Sequence, residues 1–550
     1  MGVPGFFSYI LRNQQLKESI VYQNINKDID YLYFDFNCLI HLCAAKVRSQ
    51  NKNWKTISKI ESLIHDEVIS YTNHIIEFVN PLYGIYISID GVCPMGKIIQ
   101  QRDRRYRTVI EIEKINKLKK KFDIEIEKYW CTSKISPSTS FMLSLEKKIL
   151  QNLKKTFKNR HVWFSTSGIS SEGEHKIIHH IKSLKEKNKN IAIYGLDADL
   201  IFLSLSLKEQ NVLLLRESVE MDKKAKDTEF TWVDMDIFKK EIMIKLNSKN
   251  ENSIVDFIFL CFLLGNDFIP KIPTLNIYKN AIPFLIFEYN NHKKNNTNKF
   301  LVNEKTLQIN IEFFKEILYS LAVRESFYLQ KQFIEFRDRK LEKDFESEYE
   351  KQLFIHERVL DHKDDIELKG KNIIEDKKKY YSRFFDQEKK VQTIVHYYLK
   401  ILEWCLHYYF KSILSWNYHY PYHHAPFASD ILQVLKGMNK INYSFELSKP
   451  LKPIEQLILI IPLKDKNIIP KFFHEIYKIK EFYKYFYFEK YIKYDNNYVQ
   501  QRFKTTIFLP KINMEKYQSE ISNIIKNLED KQKNVLKKME SKKVHYLKKN

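Results

Sequence analysis

Two carboxylates interrupt one of the most apolar stretches of the sequence. Asp197 and Asp199 lie within IAIYGLDADLIFLSL, Ile191 to Leu205, whose flanks have the composition of buried strands. Burying two carboxylates close together is costly because each loses its hydration and the charges repel. In an extended segment, residues i and i+2 point to the same face, so this spacing predicts that both side chains converge. A divalent cation would offset the repulsion; the alternative is that each Asp caps a turn after Gly195.

Other acids follow other predicted strands. Asp35 lies in YLYFDFNCLIH, where strand alternation places Tyr33, Asp35 and Asn37 on one face, and Asp90 ends IYISID. In α/β sheets, ligands bind beyond the carboxyl ends of the strands, so these acids are suitably placed for metal chemistry. Either residue alone would also serve as a helix N-cap or a turn residue.

Three more acids complete the set. The segment SSEGEHKII supplies Glu172 and Glu174, although Ser171 and Glu174 also fit a capping box. The segment FLLGNDFIP places Asp267 after an apolar helix, where Gly265 would be the C-cap and the acid an ordinary turn residue. Seven carboxylates in similar settings favour hard Mg²⁺ or Mn²⁺ ions, which prefer oxygen ligands, and two such ions need a wall of carboxylates.

A basic helix is predicted directly after the second strand-end acid. In PMGKIIQQRDRRYR, Pro94 stands near the helix start, and Lys97, Gln101, Arg104 and Arg105 follow at i, i+4, i+7 and i+8. These positions share one helix face. Arg binds phosphate through a fork of donors and Lys adds a compact charge, so the face suits a terminal phosphate. The alternative is a solvated basic helix.

Length and charge set the broad class. At 550 residues the chain exceeds one hydrophobic core, which predicts two large domains or a nuclease-sized domain with an extension. The formal charge of +23 favours a polyanionic partner, although a biased amino-acid usage would also produce it. Six cysteines without a C-x-x-C pair indicate neither a zinc knuckle nor a disulfide framework, which fits a reducing compartment. We expect no membrane span and no secretory signal.

The chain changes character near its middle. Residues 31–205 alternate strands and helices, which predicts an α/β fold with a largely parallel sheet, and from Ser253 helical periodicity dominates. The predicted strands are YLYFDFNCLI, YGIYISID, HVWFSTSG and NIAIYGLDADLIFL, and helices are predicted after Lys55, Pro94, Phe141 and Ser171. A charged segment over 336–390 reads as solvated helix or mobile insertion, and the stretch from about Asn523 as a frayed helical tail.

The motifs, taken in order, resemble the XRN family of 5′→3′ exoribonucleases. The matching segments are MGVPGFF, YFDFNCLIH, DGVCPMGKIIQQRDRRYR, EGEHKII, YGLDADLI, LLR, FLLGNDFIP, SWNYHYPYHHAPFASD and FELSKPLKPIEQL. The resemblance implies a PIN/FEN-like nuclease domain over 1–225 whose largely parallel sheet is flanked by helices. It implies a mainly α-helical domain over 253–480 that walls the active site, and over 481–550 the end of the catalytic region and a Lys-rich tail. The C-terminal domains of the large cytoplasmic relatives are expected to be absent.

The resemblance also implies roles for individual residues. Two Mg²⁺ ions, with Mn²⁺ as a substitute, are expected on the catalytic acids Asp35, Asp90, Glu172, Glu174, Asp197, Asp199 and Asp267. The 5′-monophosphate is expected on Lys97, Gln101, Arg104 and Arg105. His41 is expected to stack on the first base, and Trp416 is the best match for its aromatic partner, because Tyr418 stands where the family has a second Trp. Without the resemblance, His41 would be a surface residue at a strand end and Trp416 a core residue.

Two loops depart from the family pattern. Ser170 and Ser171 stand where the family has Pro-Gly, and SKISPST, Ser133 to Thr139, replaces NCITPGT. These loops are expected to differ in shape.

The implied activity is processive 5′→3′ hydrolysis of single-stranded RNA with a 5′-monophosphate, of the type that degrades decapped mRNA and releases nucleoside 5′-monophosphates. We expect a monomer, no membrane association, decapping or RNA-processing partners, and a cytoplasmic location, with the nucleus as the alternative. One rival is a structure-specific 5′ flap nuclease for DNA. Another is a catalytically weak RNA-binding scaffold, which the complete set of acids disfavours.

Overall fold

The computed structural model describes residues 2–21, 25, 27–52, 54–157, 159–208, 210–218, 229–294, 299–340, 343–361, 368–385, 390–487, 493–495, 499 and 501–548. The strands are β1 Ile20–Val21, β2 Tyr31–Asp35, β3 Gly84–Ser88, β4 His161–Ser165, β5 Asn190–Tyr194, β6 Asn211–Glu217, β7 Phe230–Asp234, β8 Lys493–Asp495, β9 Thr506–Phe508 and β10 Val544–Leu547. The helices of the first half are α1 Phe6–Arg12, α2 Phe36–Gln50, α3 Ile57–Val79, α4 Met95–Lys121, α5 Ser140–Thr156, α6 Gly173–Ser183, α7 Ala198–Leu205 and α8 Met235–Lys245. Those of the second half are α9 Asn252–Phe262, α10 Ala281–Lys294, α11 Ile311–Ala322, α12 Glu325–Arg337, α13 Glu348–Glu357, α14 Ile373–Phe384, α15 Val391–Phe410, α16 Ala428–Leu435, α17 Pro453–Ile460, α18 Tyr483–Phe486, α19 Met514–Lys526 and α20 Asp530–Met539.

One mixed sheet organises the first half. Within the described ranges, its eight strands lie in the order β1-β7-β6-β5-β2-β3-β4-β10. The inner strands β6, β5, β2, β3 and β4 are parallel, and the outer pairings are antiparallel. The predicted α/β class with a largely parallel sheet is confirmed. Because β3 and β4 extend on one side of β2 and β5 and β6 on the other, the winding direction reverses between β2 and β5.

Side chains of the central strand enter two separate cores. Leu32 and Phe34 pack with α2, α3 and α5 on one face of the sheet. Tyr33 points to the opposite face, where the core continues through α6 to α9 into the helical half. This alternation follows from the period of two along a strand, with both faces covered as parallel sheets require. The predicted helices after Lys55, Pro94, Phe141 and Ser171 are α3, α4, α5 and α6.

Two strand predictions are wrong over their second halves. β2 ends at Asp35 and α2 begins at Phe36, so Asn37 does not share a strand face with Asp35. The buried positions of α2 recur at the helical spacing of three or four residues, which is easily missed when a segment is judged only by its apolar content. These positions are Phe36, Leu39, Ile40, Cys43, Ala44 and Val47. In the same way β5 ends at Tyr194, and residues 198–203 belong to α7.

The charged segment over 336–390 is partly packed against the rest of the molecule. His356 of α13 bonds through Nε2 to Glu111 Oε2 of α4 at 2.6 Å. Tyr380 and Phe384 of α14 lie in a buried cluster of their own. The prediction of a purely solvated or mobile insertion is therefore wrong for α13 and α14, because each helix presents an apolar or paired face inward. Residues 341–342, 362–367 and 386–389 of the segment lie outside the described residues.

The predicted frayed helical tail is helical in α19 and α20, but it is packed rather than frayed, and it ends as the edge strand of the sheet. β10 pairs antiparallel with β4, and the chain leading to it passes so close to Gly168 that a Cβ there would lie 1.9 Å from Ser541 O. Tyr517 and Ile521 of α19 are buried. The basic composition concealed this order, because in α19 and α20 a narrow apolar stripe is enough to bury one face. In the described part of the chain, no helix is long and apolar enough to cross a membrane.

Candidate active site

The carboxylates gather where the winding of the sheet reverses. Asp35 ends β2 in register with Ser88 of β3, and Asp197 follows β5 on the other side of β2. Loops at the carboxyl ends of neighbouring parallel strands meet at one edge, and the edge between oppositely wound halves is open. Asp267 reaches the same edge from the loop after α9 of the helical half, because its side chain contacts α4. Separate segments of the sequence therefore supply one acid cluster.

Gly173, the first residue of α6, lets two of the acids approach. Its N–H donates to Asp90 Oδ1 at 2.6 Å. A Cβ at this position would lie 3.1 Å from Asp35 Oδ1 and 3.2 Å from Asp90 Oδ1. A side chain here would contact both carboxylates more closely than ordinary packing allows, so they would have to shift by a few tenths of an ångström.

Lys97 of α4 is the cation of the cluster. Its Nζ lies 2.5 Å from Glu172 Oε1 and 2.5 Å from Asp267 Oδ2, and all three side chains are about nine-tenths buried or more. Burial alone would raise the pKa of Asp267, but Lys97 lowers it to about 2. Burial alone would also raise the pKa of Glu172, but Lys97, His175 and the Tyr408 hydroxyl together lower it. These two acids are therefore ionised.

The other acids of the cluster are packed so closely that their pKa values are raised. Burial, and then the charge of Asp90, raises the pKa of Asp35 to about 7. Burial, with Glu172 next, raises the pKa of Glu174 well above its usual range. The pKa values of Asp90 and Asp199 are raised by burial in the same way. Groups packed like this favour their charged form only beside a further cation.

The residues fit divalent cations. Ligand atoms of Glu172, Glu174 and His175 lie within 4.8 Å of one another. Carboxylate oxygens dominate the cluster, as hard ions such as Mg²⁺ require. His175 was not predicted; it follows Glu174 directly and packs on the Tyr408 ring at 3.9 Å between centroids. His175 lies near the acids because consecutive helix residues are only about 100° apart around the axis, so it and Glu174 project in neighbouring directions.

Asp197 and Asp199 meet the cluster in a way that the extended-strand prediction missed. Asp197 is the N-cap of α7, and its Oδ1 accepts the Asp199 N–H at 3.1 Å. The capping alternative is therefore correct for Asp197, which is half-buried at the rim. Asp199 is buried and projects from the first turn of the helix toward Glu174, whose pKa it helps to raise.

Two adjacent tyrosines of the helical half bind the acids, and the sequence did not reveal them. Tyr408 of α15 donates its hydroxyl to Glu172 Oε2, and Tyr409 donates to Asp199 Oδ1. The other oxygen of Asp199 accepts the Gly2 N–H at 3.0 Å. In the sequence these rings look like core, and the one available signal was that a buried tyrosine hydroxyl needs an acceptor.

The loop before Glu172 differs from its predicted capping box. Glu172 itself is the N-cap of α6, and Ser171 lies outside the helix with φ of 110°, so the capping-box interpretation is wrong. Ser171 N donates to Val92 O at 2.7 Å, and Ser171 O accepts the Gly91 N–H at 2.9 Å. These bonds hold a backbone conformation that favours glycine, at the position where the family has one. By contrast, Gly265 adopts the predicted left-handed conformation, with φ of 85°.

The basic face of α4 begins at the acid cluster and continues away from it. Pro94 is the N-cap as predicted, so all four predicted residues lie within the helix. Gln101 Oε1 accepts from Gln456 Nε2 at 3.5 Å, and Arg105 Nη1 donates to Ser133 O at 3.5 Å. Burial, and then the charge of Arg104, lowers the pKa of Arg105 to about 10. The two guanidinium groups repel each other, and a bound anion would reduce this repulsion.

His41 and Trp416 each lie near α4. His41, on α2, is exposed to solvent, yet enough protein surrounds it that burial, followed by Arg104 and Arg105, lowers its pKa to about 4. Because His41 is accessible to solvent although protein atoms surround it, it lines a concave surface. The half-buried Trp416 lies at the start of α4, where its carbonyl accepts the Met95 N–H at 2.8 Å. In the described part of the chain, neither ring contacts another aromatic ring, so their pairing stays a prediction.

Comparison with known proteins agrees with this geometry. The family described as "XRN 5'-3' exonuclease N-terminus" matches residues 1–218, and the family described as "Xrn1 helical domain" matches residues 247–375 and 361–547. The 5'-3' exoribonuclease 1 of Homo sapiens is 28% identical over 581 residues, covering 93% of this chain and 33% of the relative.

Two further relatives agree. The 5'-3' exoribonuclease 1 of Saccharomyces cerevisiae is 26% identical, covering 86% of this chain and 40% of the relative. The 5'-3' exoribonuclease 2 of Arabidopsis thaliana is 25% identical, covering 86% of this chain and 62% of the relative. The chain thus spans between a third and about three-fifths of the length of these proteins. With both matched regions covering most of its length, the chain belongs to the XRN family of 5′→3′ exonucleases.

Proposed function

We propose that this chain is a 5′→3′ exoribonuclease that degrades single-stranded RNA with a 5′-monophosphate, one nucleotide at a time and processively. One observation carries the proposal: Lys97 of the basic face of α4 pairs with Glu172 and Asp267 of the acid cluster, so the two groups of side chains adjoin. The relatives named as exoribonucleases support the reaction class. The formal charge of +23 suits a polyanionic substrate.

Chemistry at the scissile phosphate is assigned to the acid cluster. Two Mg²⁺ ions, with Mn²⁺ as a substitute, would be held by the buried acids Asp35, Glu172, Glu174 and Asp199 together with the less deeply buried Asp90, Asp197 and Asp267. When bound, such ions activate a water and stabilise the leaving oxygen of an in-line displacement. The chain itself holds the acids in place through Gly173, Tyr408 and Tyr409. Lys97 pairs with two of the carboxylates and so reduces the repulsion between the cluster and a phosphodiester.

Recognition of the 5′ end is assigned to the basic face. Arg105 lies eight residues after Lys97, which places it about 12 Å further along the helix axis. A terminal phosphate bound by Arg104, Arg105 and Gln101 would therefore lie within a nucleotide or two of the acids. The forked donors of Arg suit the terminal oxygens of a monophosphate.

Stacking is assigned to His41 and Trp416. Because the pKa of His41 is lowered to about 4, its ring is neutral at pH 7 and suited to stacking on a base of any identity. Such stacking contributes roughly 1–3 kcal/mol per base and tolerates any sequence. Bases are available to these rings only when unpaired, which favours single strands as the substrate.

The test uses matched RNAs that differ only at the 5′ end. Purified chain with Mg²⁺ should release nucleoside 5′-monophosphates from monophosphorylated RNA, and much more slowly from hydroxyl or triphosphate starts. A chelator should stop the reaction. Asp199→Asn should abolish turnover while RNA binding persists, and replacing Arg104 and Arg105 with Glu should remove the preference for monophosphate. Equal rates on all three RNAs would refute the end-reading assignment.

The same assay separates the rival functions. Cleavage of a bent DNA flap in preference to the RNA would identify a flap nuclease. RNA binding without any release of nucleotides at saturating Mg²⁺ would identify a scaffold. The monomeric state, the decapping or RNA-processing partners and the cytoplasmic rather than nuclear location are also proposed, and size measurement, co-purification and imaging of the tagged chain test them.

A further inference from the structure

A chamber of about 550 Å³ lies against α4, next to the acid cluster. Asp267 of the cluster and Arg104 of the basic face both line it. Gln100 lines it as well and donates from Nε2 to Asp267 Oδ1 at 3.4 Å. His41 and Trp416 are not among the described residues of its wall. The chamber thus adjoins the proposed centre, and Trp416 borders it, because the wall residue Met95 donates its N–H to the Trp416 carbonyl at 2.8 Å.

The helix separates the chamber from Arg105. Asp103 and Arg107 of α4 line the chamber, whereas Arg105 is not among the described residues of its wall. With 100° of turn per residue, Asp103 and Arg107 each lie about 160° from Arg105 around the helix axis. Arg104, between them, borders both the chamber and the basic face. A molecule held at Arg104 therefore has access to the chamber.

The chamber walls combine cations, rings and a carboxyl. Lys511 Nζ lies 5.5 Å from the centroid of the Tyr422 ring, and Arg107 also lines the chamber. His423 Nδ1 lies 3.5 Å from Asp103 Oδ2. Cations attract a phosphate, rings stack on a base, and a carboxylate accepts from exocyclic amino groups. The volume lies within the roughly 300–1,000 Å³ of pockets that bind small molecules.

We infer that this chamber binds the nucleoside 5′-monophosphate that the reaction releases. The inference rests on the proposed function, because a processive enzyme must discharge each product while the remaining strand still fills the entry side. A product whose phosphate has been held by Arg104 lies at the border of the chamber. Discharge through the chamber leaves the strand in place to advance by one nucleotide.

The first test measures nucleotide binding with the entry side filled. The full chain, in chelator, is saturated with a 5′-monophosphorylated RNA and titrated with AMP or UMP by calorimetry, with inorganic phosphate as the anion control. One nucleotide should still bind per chain. If the bound RNA abolishes nucleotide binding, the product has no site besides the entry pocket, and the inference is wrong.

Variants of the chamber wall supply the second test. Lys511→Glu and His423→Ala should each raise the Kd for AMP about tenfold in the RNA-loaded chain. Lys117→Glu, which reverses an exposed charge elsewhere on α4, should leave it within twofold. Lys511 is exposed, so its replacement does not threaten folding, and melting temperatures check His423→Ala. An unchanged Kd in both chamber variants would overturn the assignment.

The inhibition of RNA degradation by added nucleotide separates this inference from the proposed function. In the chamber variants, the inhibition constant of AMP should rise about tenfold together with its Kd. If the chain degrades no RNA, the proposed function fails whatever the nucleotide binding shows. If degradation is normal and AMP inhibits wild type and variants equally, only the chamber assignment fails.

Discussion

Removing the hydroxyl oxygen of one tyrosine of α15 should weaken the acid cluster. Tyr408→Phe keeps the ring, which stacks on Trp404 at 4.9 Å and 14° and packs edge-on against Phe268 at 4.7 Å. It removes the hydroxyl that donates to Glu172. Tyr409→Phe does the same to Asp199. Any effect of either change therefore comes from the lost hydrogen bond rather than from lost packing.

The expected size follows from the charge of the acceptor. Glu172 is ionised, because Lys97 lowers its pKa, and a hydrogen bond to a charged group contributes about 1.5–3 kcal/mol. Tyr408→Phe should lower the free energy of unfolding by that amount. The matched control is Tyr420→Phe, since Tyr420 donates to the neutral carbonyl of His424 at 2.9 Å and should lose only about 0.5–1.5 kcal/mol. Groups that orient metal ligands typically change metal affinity by roughly 10–100-fold when removed.

Urea unfolding in chelator and calorimetric titration with Mg²⁺ measure the two effects separately. Tyr408→Phe and Tyr409→Phe should both weaken Mg²⁺ binding, whereas Tyr420→Phe should leave it unchanged. The reasoning would be refuted if Tyr408→Phe unfolded within about 0.5 kcal/mol of wild type, the range of ordinary surface changes, and bound Mg²⁺ as wild type does.

Three other changes have defined outcomes. Ser171→Gly should raise the free energy of unfolding by about 1 kcal/mol in urea, because glycine adopts the observed φ of 110° without strain. Gly173→Ala should lower kcat by about 10²-fold, because the added Cβ moves two carboxylates apart. The control is Gly437→Ala, where a Cβ meets nothing closer than 3.8 Å and kcat should not change. If Gly173→Ala and wild type have equal kcat, the spacing argument is wrong. Burial raises the pKa of Asp103 to about 7, so between about pH 4 and 7 the folded state binds a proton that the unfolded state releases. The free energy of unfolding should therefore fall by up to about 4 kcal/mol as the pH rises through that window. Asp103→Asn should flatten this dependence in urea unfolding measured from pH 4 to 8.

Local patterns failed where a strand gives way to a helix. The sequence after Asp35 continues with apolar residues, and apolar runs fit a strand as well as a helix. The helix prevails because its buried residues recur every three or four positions and fill the core beside α3. The same ambiguity hid the start of α7, where Asp197 caps the helix. In both cases the acid lies at the cluster, but the local geometry that positions it differs from the prediction.

The C-terminal region shows the converse failure. Its Lys-rich composition predicts a solvated helical tail, yet β10 covers the exposed edge of β4. The unpaired N–H and C=O groups of an edge strand can form hydrogen bonds with the backbone of a segment of almost any sequence. Composition therefore carries little information about which segment will cover it.

The sequence by itself determined the alternation of strands and helices, the acids that follow the strands, and the helical face that carries Lys97 and the arginines. These features are local, because periodicity and spacing along the chain fix which side chains share a face. Only the tertiary structure decided that Lys97 pairs with Glu172 and Asp267 and that the hydroxyls of Tyr408 and Tyr409 reach the acids. These contacts join residues between 75 and 236 positions apart, and no local pattern records which distant residues the folded core brings within bonding distance.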